Sequence, residues 1–152
     1  MQSRIEKIEH DKAVRQLEYM IASQGGRIKP LTELMNNLLS YGLDTVTDGF
    51  WILNTVTLEE RYSPKFIKSL GYEGDHDFPP TMESWQKAIT KESNDRAIAD
   101  FVKHMETKGE TPYHLQVTYN KKNGGQVDLI CSGTVVDWDQ EPIMLGTHKI
   151  LR

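Results

Sequence analysis

Residues 113–125 read YHLQVTYNKKNGG, and the segment that follows, 126–138, reads QVDLICSGTVVDW. Tyr113, Leu115, Val117 and Tyr119 alternate with His114, Gln116, Thr118 and Asn120, the period of two that sends one face of a strand into a core and the other into water. Asn123-Gly124-Gly125 tolerates the positive φ angles of a tight reversal. Two antiparallel strands, 113–120 and 126–138, are therefore expected to pair. A lone strand pair is marginal in water, so neighbouring segments must complete its core.

Working upstream, Ile98, Phe101, Val102 and Met105 recur at intervals of three and four, which predicts an amphipathic helix from about Asn94 to Lys108, closed by Gly109. Trp85 and Ile89 share one side of a shorter helical stretch from Met82. Ser63 and Pro64 form an N-cap and first-turn pair for a short helix carrying Phe66, Ile67 and Leu70 before Gly71. Gly49–Asn54 and Leu58–Tyr62 read as a strand hairpin, and Pro142–Leu151 as a last strand. The order is two strands, helices, then three strands. This is an α+β chain with a five-stranded antiparallel sheet covered by helices on one face.

Ahead of the sheet, Ser3–Gln24 lacks Pro and Gly and opens on a capping box, Ser3 with Glu6, before Gly25 and Gly26 stop it. A second helix is expected from Pro30 to about Tyr41, with Leu31, Leu34, Leu38 and Tyr41 on one side. Residues 1–41 thus form a helical extension and 42–152 the sheet domain. The 152 residues are 38% hydrophobic and 26% charged with a net charge of −4, as in a folded globular chain. Dispersed Lys and Arg argue against a nucleic-acid partner. No apolar run approaches the ~20 residues that span a bilayer, and the charged N-terminus lacks the apolar core of a secretion signal. The single Cys131 excludes an internal disulfide, and the expected location is the cytoplasm.

Several short motifs stand in a telling order: Gly49-Phe50-Trp51, Tyr62-Ser63-Pro64, Leu70-Gly71-Tyr72, Asn94-Asp95-Arg96, Lys122-Asn123-Gly124-Gly125 and Gly146-Thr147-His148. From about Leu43 to Leu151 the chain resembles a PAS domain, in the subclass common in bacterial signalling proteins. The resemblance implies a ligand cavity between sheet and helices, lined by Trp51, Leu53, Phe66, Trp85, Phe101, Met105, Leu115 and Val117. Its inward polar groups would be Ser132, Thr134 and Thr147. Read without the resemblance, the same apolar side chains need be no more than a packed core.

The resemblance further implies a sensory or regulatory domain, not an enzyme. It would bind a small molecule or mediate homodimerisation and so control an effector, such as a histidine kinase or a diguanylate cyclase, beyond Arg152. The alternative is a ligand-free protein–protein interaction module. One departure is Lys149-Ile150-Leu151-Arg152 where the family usually continues Asp-Ile-Thr. Another is an apolar outer side to the first strand: if Trp51 and Leu53 face the core, Phe50 and Ile52 face away and need cover. Leu34 and Leu38, on the extension or on a partner's, are expected to form that interaction surface.

Known family chemistries find little support in the residues. His104 falls off the apolar stripe of its helix and beside Lys103, which points to solvent and disfavours an axial haem ligand. Residues 91–100 hold no Cys for a flavin adduct. Cys131 sits on a strand with nothing nearby to activate it. Asp75-His76-Asp77 reads as a polar loop, and the five His show no paired zinc spacing. No catalytic residue or metal site is assigned, and the cofactor, if any, is left open.

Overall fold

A computed structural model describes residues 31–138 and 141–151. The helix expected over Ser3–Gln24 lies outside them. The chain runs α1 (Leu31–Ser40), α2 (Leu43–Val46), β1 (Gly49–Asn54), β2 (Glu60–Tyr62), α3 (Pro64–Ser69), α4 (Met82–Ala88), α5 (Lys91–Glu106), β3 (Tyr113–Asn120), β4 (Gln126–Trp138) and β5 (Glu141–Ile150). The five strands form one antiparallel sheet in the order β2-β1-β5-β4-β3.

One cross-strand row organises the inner face. Tyr62, Trp51, Gly146, Gly133 and Tyr113 are paired in succession across all five strands. The two central glycines leave a trough, and the Trp51 indole lies in it. A Cβ on Gly133 would stand 2.7 Å from Trp51 Cζ2, and one on Gly146 would overlap the same ring. The indole ends edge-on to Tyr113, with ring centroids 5.8 Å apart. Gly49 repeats the device: its positive φ of 154° and missing side chain admit Phe66 of α3, whose Cβ lies 2.5 Å from where a Gly49 Cβ would be.

With Trp51 inward, Leu53, Met144, Leu129, Val117 and Tyr119 join one core beneath α3, α4 and α5. Phe50, Ile52 and Ile143 point the other way and are fully buried under α1, in a second cluster with Leu31, Met35, Leu34 and Leu38. The outer face of β1 thus has its cover from this chain's own helix: of the four residues expected to form an interaction surface, Phe50 and Ile52 are buried within the protomer, and Leu34 and Leu38 are partly buried beside them. Every residue of β1 is buried.

The structure corrects several local expectations. Tyr41 is 86% exposed because α1 ends at Ser40 and Gly42 turns the chain at φ 79°. β2 begins at Glu60, since Leu58 takes a positive φ in a turn whose backbone N–H groups at Val56 and Thr57 are bound by the Asn54 side chain. Ser63 occupies the N-cap of α3, but its hydroxyl accepts the Phe50 N–H (3.1 Å) and leaves the helix uncapped by a side chain. Helix α5 starts at Lys91, three residues early, because Thr90 caps it by accepting the Ser93 N–H.

Helix α5 is also rotated from the expected stripe. Its fully buried residues are Ser93, Ala97 and His104, small or polar groups that let the helix axis approach the sheet, while Phe101 and Ile98 flank the contact. Ser93 Oγ accepts the Thr118 N–H of β3 at 2.9 Å. His104 is 1% exposed, not solvated. Its Nε2 accepts the Val135 N–H (3.0 Å), so its Nδ1 carries the proton and donates to the Thr111 carbonyl (2.6 Å).

Gly146→Ala is expected to cost about 1–3 kcal/mol of stability by forcing the indole off the sheet. Gly74→Ala, where the nearest neighbour of an added Cβ is 3.8 Å away, should stay within about 0.5 kcal/mol. Urea unfolding of the two variants checks this, and equal midpoints would refute it.

Candidate functional site

A cavity of about 50 Å³ lies between the inner sheet face and helices α4 and α5. Of the residues named for a ligand cavity, Trp51, Leu53, Trp85, Phe101 and Val117 line it. Phe66 and Leu115 belong to the same core but not to the cavity wall, and Met105 is half-buried outside both.

Ser132, Thr134 and Thr147 do not point inward. Each neighbours an inward residue on its strand (Cys131, Gly133, Gly146 or His148), so the pleat turns all three to the outer face. Ser132 Oγ bonds His114 Nδ1 there, and Thr134 is exposed.

The polar groups of the cavity are others: Glu60 from β2, Tyr62 beside it, Tyr119 from β3 and His148 from β5. Tyr119 accepts a hydrogen bond from Trp85 Nε1 at 2.9 Å and lies within reach of the Tyr62 hydroxyl, which in turn neighbours the Glu60 carboxyl. Glu60 Oε1 and both ring nitrogens of His148 are buried without a hydrogen-bond partner. His148 packs against Phe66, ring centroids 4.0 Å apart, and stacks at 5.8 Å on Tyr62.

Burial sets the charge state of these groups. It pushes the Glu60 carboxyl up from 4.5 to about 8, against a smaller opposite pull from the Tyr62 hydroxyl, and the His148 imidazole down from 6.5 to about 3. The Tyr62, Tyr113 and Tyr119 hydroxyls and the Cys131 thiol are raised by the same desolvation. At neutral pH the cavity is therefore lined by uncharged groups. The thiol is protonated and a poor nucleophile.

Outside the cavity, Asp77 accepts the Gly74 and Glu73 N–H groups and the Lys122 ammonium (3.0 Å). Those bonds hold its carboxyl below the usual range and tie the 73–78 loop to the β3–β4 turn. Asp75 pairs with Arg61 at 3.1 Å. Among the described residues no cluster of three His, Cys, Asp or Glu is placed to hold a metal, and no helix is long and apolar enough to cross a membrane.

Glu60 and His148 were missed by the sequence reading. Parity was the available signal for Glu60: it shares a face with Tyr62, two residues on. His148 had none, because Ile143, Met144 and Leu145 are all apolar and β5 shows no alternation.

An antiparallel sheet in this strand order, its inner face roofed by short helices over a small aromatic cavity, defines a class of ligand-sized α+β folds. The family model of the PAS fold matches residues 59–148, and the chain belongs to that family. Among solved structures it is similar to a sensory box histidine kinase/response regulator from Burkholderia thailandensis (21% identity, TM-score 0.57, 75% of this chain and 84% of that one). It is also similar to the N-terminal domain of a diguanylate cyclase with PAS/PAC sensor from Marinobacter aquaeolei (17%, 0.56, 67% and 93%). A third is the PAS domain of the fruit-fly ELK potassium channel (15%, 0.58, 76% and 95%). At these identities the likeness concerns the fold. No curated protein matches the sequence.

The two shifted groups predict a bell-shaped stability profile. Between pH 4.5 and 8 the unfolded chain has released the Glu60 proton that the folded chain keeps, so stability falls as pH rises. Between pH 3 and 6.5 the unfolded chain binds a His148 proton that the folded chain does not, an opposite effect that makes stability rise from pH 3 to 4.5 and offsets the Glu60 effect from pH 4.5 to 6.5, leaving a plateau. From pH 6.5 to 8 only the Glu60 effect acts, a loss on the order of 2 kcal/mol. Glu60→Gln should flatten that limb and His148→Leu the acid one, as read by urea unfolding across pH. An alkaline limb unchanged in Glu60→Gln would refute the assignment.

Proposed function

We propose that this chain is a sensory or regulatory input domain whose cavity takes a small molecule. The observation that supports it is the set of buried, unpartnered polar atoms at Glu60 and His148 in an otherwise aromatic wall. Buried polar groups without partners cost about 1–3 kcal/mol each, a cost that a pure packing role would remove by using apolar residues. Their persistence fits a site completed by a ligand or by ordered water. The small volume favours an occupant of few atoms.

Strands β1 and β5 form the shared wall between the cavity and α1. Trp51 and His148 face the cavity, while Phe50, Ile52 and Ile143 on the same two strands carry α1. A ligand that shifts the Trp51 row would therefore bias where α1 sits, a population shift read by whatever lies beyond. On this reading residues 1–41 act as the transmitting extension of a 42–152 domain. An effector such as a histidine kinase or a diguanylate cyclase would receive the signal, the domain itself having no catalytic role. The alternative, a ligand-free interaction module, predicts a cavity that never retains a molecule.

Native mass spectrometry of the purified protein, compared with denatured protein, is expected to show an extra small mass, or thermal unfolding to rise with a small-molecule mixture. Ala97→Val, which intrudes on the cavity from α5, should abolish either effect. A protein that neither retains nor responds to any small molecule would favour the interaction module.

A further inference from the structure

The cavity wall has a composition that selects ligand charge. Trp51, Trp85, Tyr62, Tyr119, Tyr113 and Phe101 offer ring faces or edges, and among the described residues no Lys or Arg lines it. Glu60, the carboxylic acid of the wall, is only 7% exposed with Oε1 unpartnered. Ring faces attract cations through their quadrupole. A desolvated carboxylate does so more strongly, and a buried anionic ligand would find only acids and rings.

The route inward has the same sign. Glu60 and Tyr62 also line a surface groove of about 170 Å³, so they stand between it and the cavity. Glu73 and Asp75 edge that groove, and its cation, Arg61, is already paired with Glu59 (2.8 Å) and Asp75 (3.1 Å). A volume of about 50 Å³ holds about three or four water-sized bodies, the scale of a methylated ammonium.

We propose that the cavity is a site for a small organic cation, an alkyl- or methylammonium ion, whose charge sits against Glu60 and whose methyl groups sit against the Trp and Tyr rings. This rests on the small-molecule reading above and gives that molecule its chemical class. Binding converts Glu60 from carboxyl to carboxylate, and its proton leaves to solvent. The other titratable groups facing the cavity, Tyr62 from β2, Tyr113 and Tyr119 from β3, Cys131 from β4 and His148 from β5, stay neutral through this change. Helices α4 and α5 present Trp85, Ala97, Ile98 and Phe101 to the cavity, with Asp100 of α5 felt at Tyr113.

Isothermal calorimetry on the full chain tests this with trimethylammonium and methylammonium chloride, 2-propanol as the neutral probe and sodium acetate as the anion, at one ionic strength. Trimethylammonium should bind at least about tenfold more tightly than 2-propanol, and acetate not at all. Its heat at pH 7 should vary with the ionisation enthalpy of the buffer, the signature of proton release, and its affinity should rise toward pH 8. Glu60→Gln should weaken trimethylammonium about tenfold more than 2-propanol and abolish the buffer dependence. The proton-release measurement needs no variant. If 2-propanol or acetate binds as well as the ammonium ions, or no proton is released, the cation assignment falls while the small-molecule reading stands. If no probe of any charge binds and no mass is retained, both fall.

Discussion

The Trp51 indole rests on the bare backbone of Gly146 and Gly133, and most of the domain's geometry follows from that contact. A ring that broad cannot lie flat on a sheet with side chains beneath it, so two adjacent strands must both be glycine at the same row. Once it does lie flat, the facing of β1 and β5 is settled: Leu53, Met144 and His148 go inward, Phe50, Ile52 and Ile143 outward. A one-residue slip would reverse every one of these side chains. The sheet thereby gains two dry faces at its centre, one under α3, α4 and α5 and one under α1.

The dry inner face explains the electrostatics of the cavity. Glu60 and His148 are shielded by aromatic rings, and desolvation outweighs the single neighbouring hydroxyl at Glu60. The two groups shift in opposite directions for the same reason, since burial disfavours the charged form of either. His104, by contrast, uses both nitrogens to fasten the end of α5 to β4 and to the loop before β3. Two buried histidines on one domain thus have different work: one closes a hydrogen-bond circuit, the other leaves one open in a cavity. His104 would have to surrender two bonds to ligate anything.

How much of this was legible depended on whether an element keeps one face in water. Strand β3 does, and its alternation Tyr113, Leu115, Val117, Tyr119 was readable and matched burial residue for residue. The ordered motifs from Gly49 to His148 carried the family, which needs only order and spacing. Strands β1 and β5 are covered on both sides, so apolar residues occur at successive positions and no period survives. The inward placement expected of Thr147 failed there, while that of Ser132 and Thr134 failed on β4, where the inward parity belongs to Leu129, Cys131 and Gly133. The stripe on α5 misled for a related reason: its contact face is built of Ser93 and Ala97, residues that a search for large apolar groups passes over.

The amino-acid sequence by itself determined the α+β class, the five strands, the short helices and the need for a cover over Phe50 and Ile52, because composition, periodicity and turn residues act locally along the chain. Only the tertiary structure decided that Glu60 and His148 share a cavity, that His104 is buried, and that Ser63 serves β1 instead of its own helix. Each of those depends on which strand lies beside which and on which way one residue faces. That choice was made by a Trp and two glycines, residues 51, 133 and 146, distant in sequence and joined only when the sheet forms.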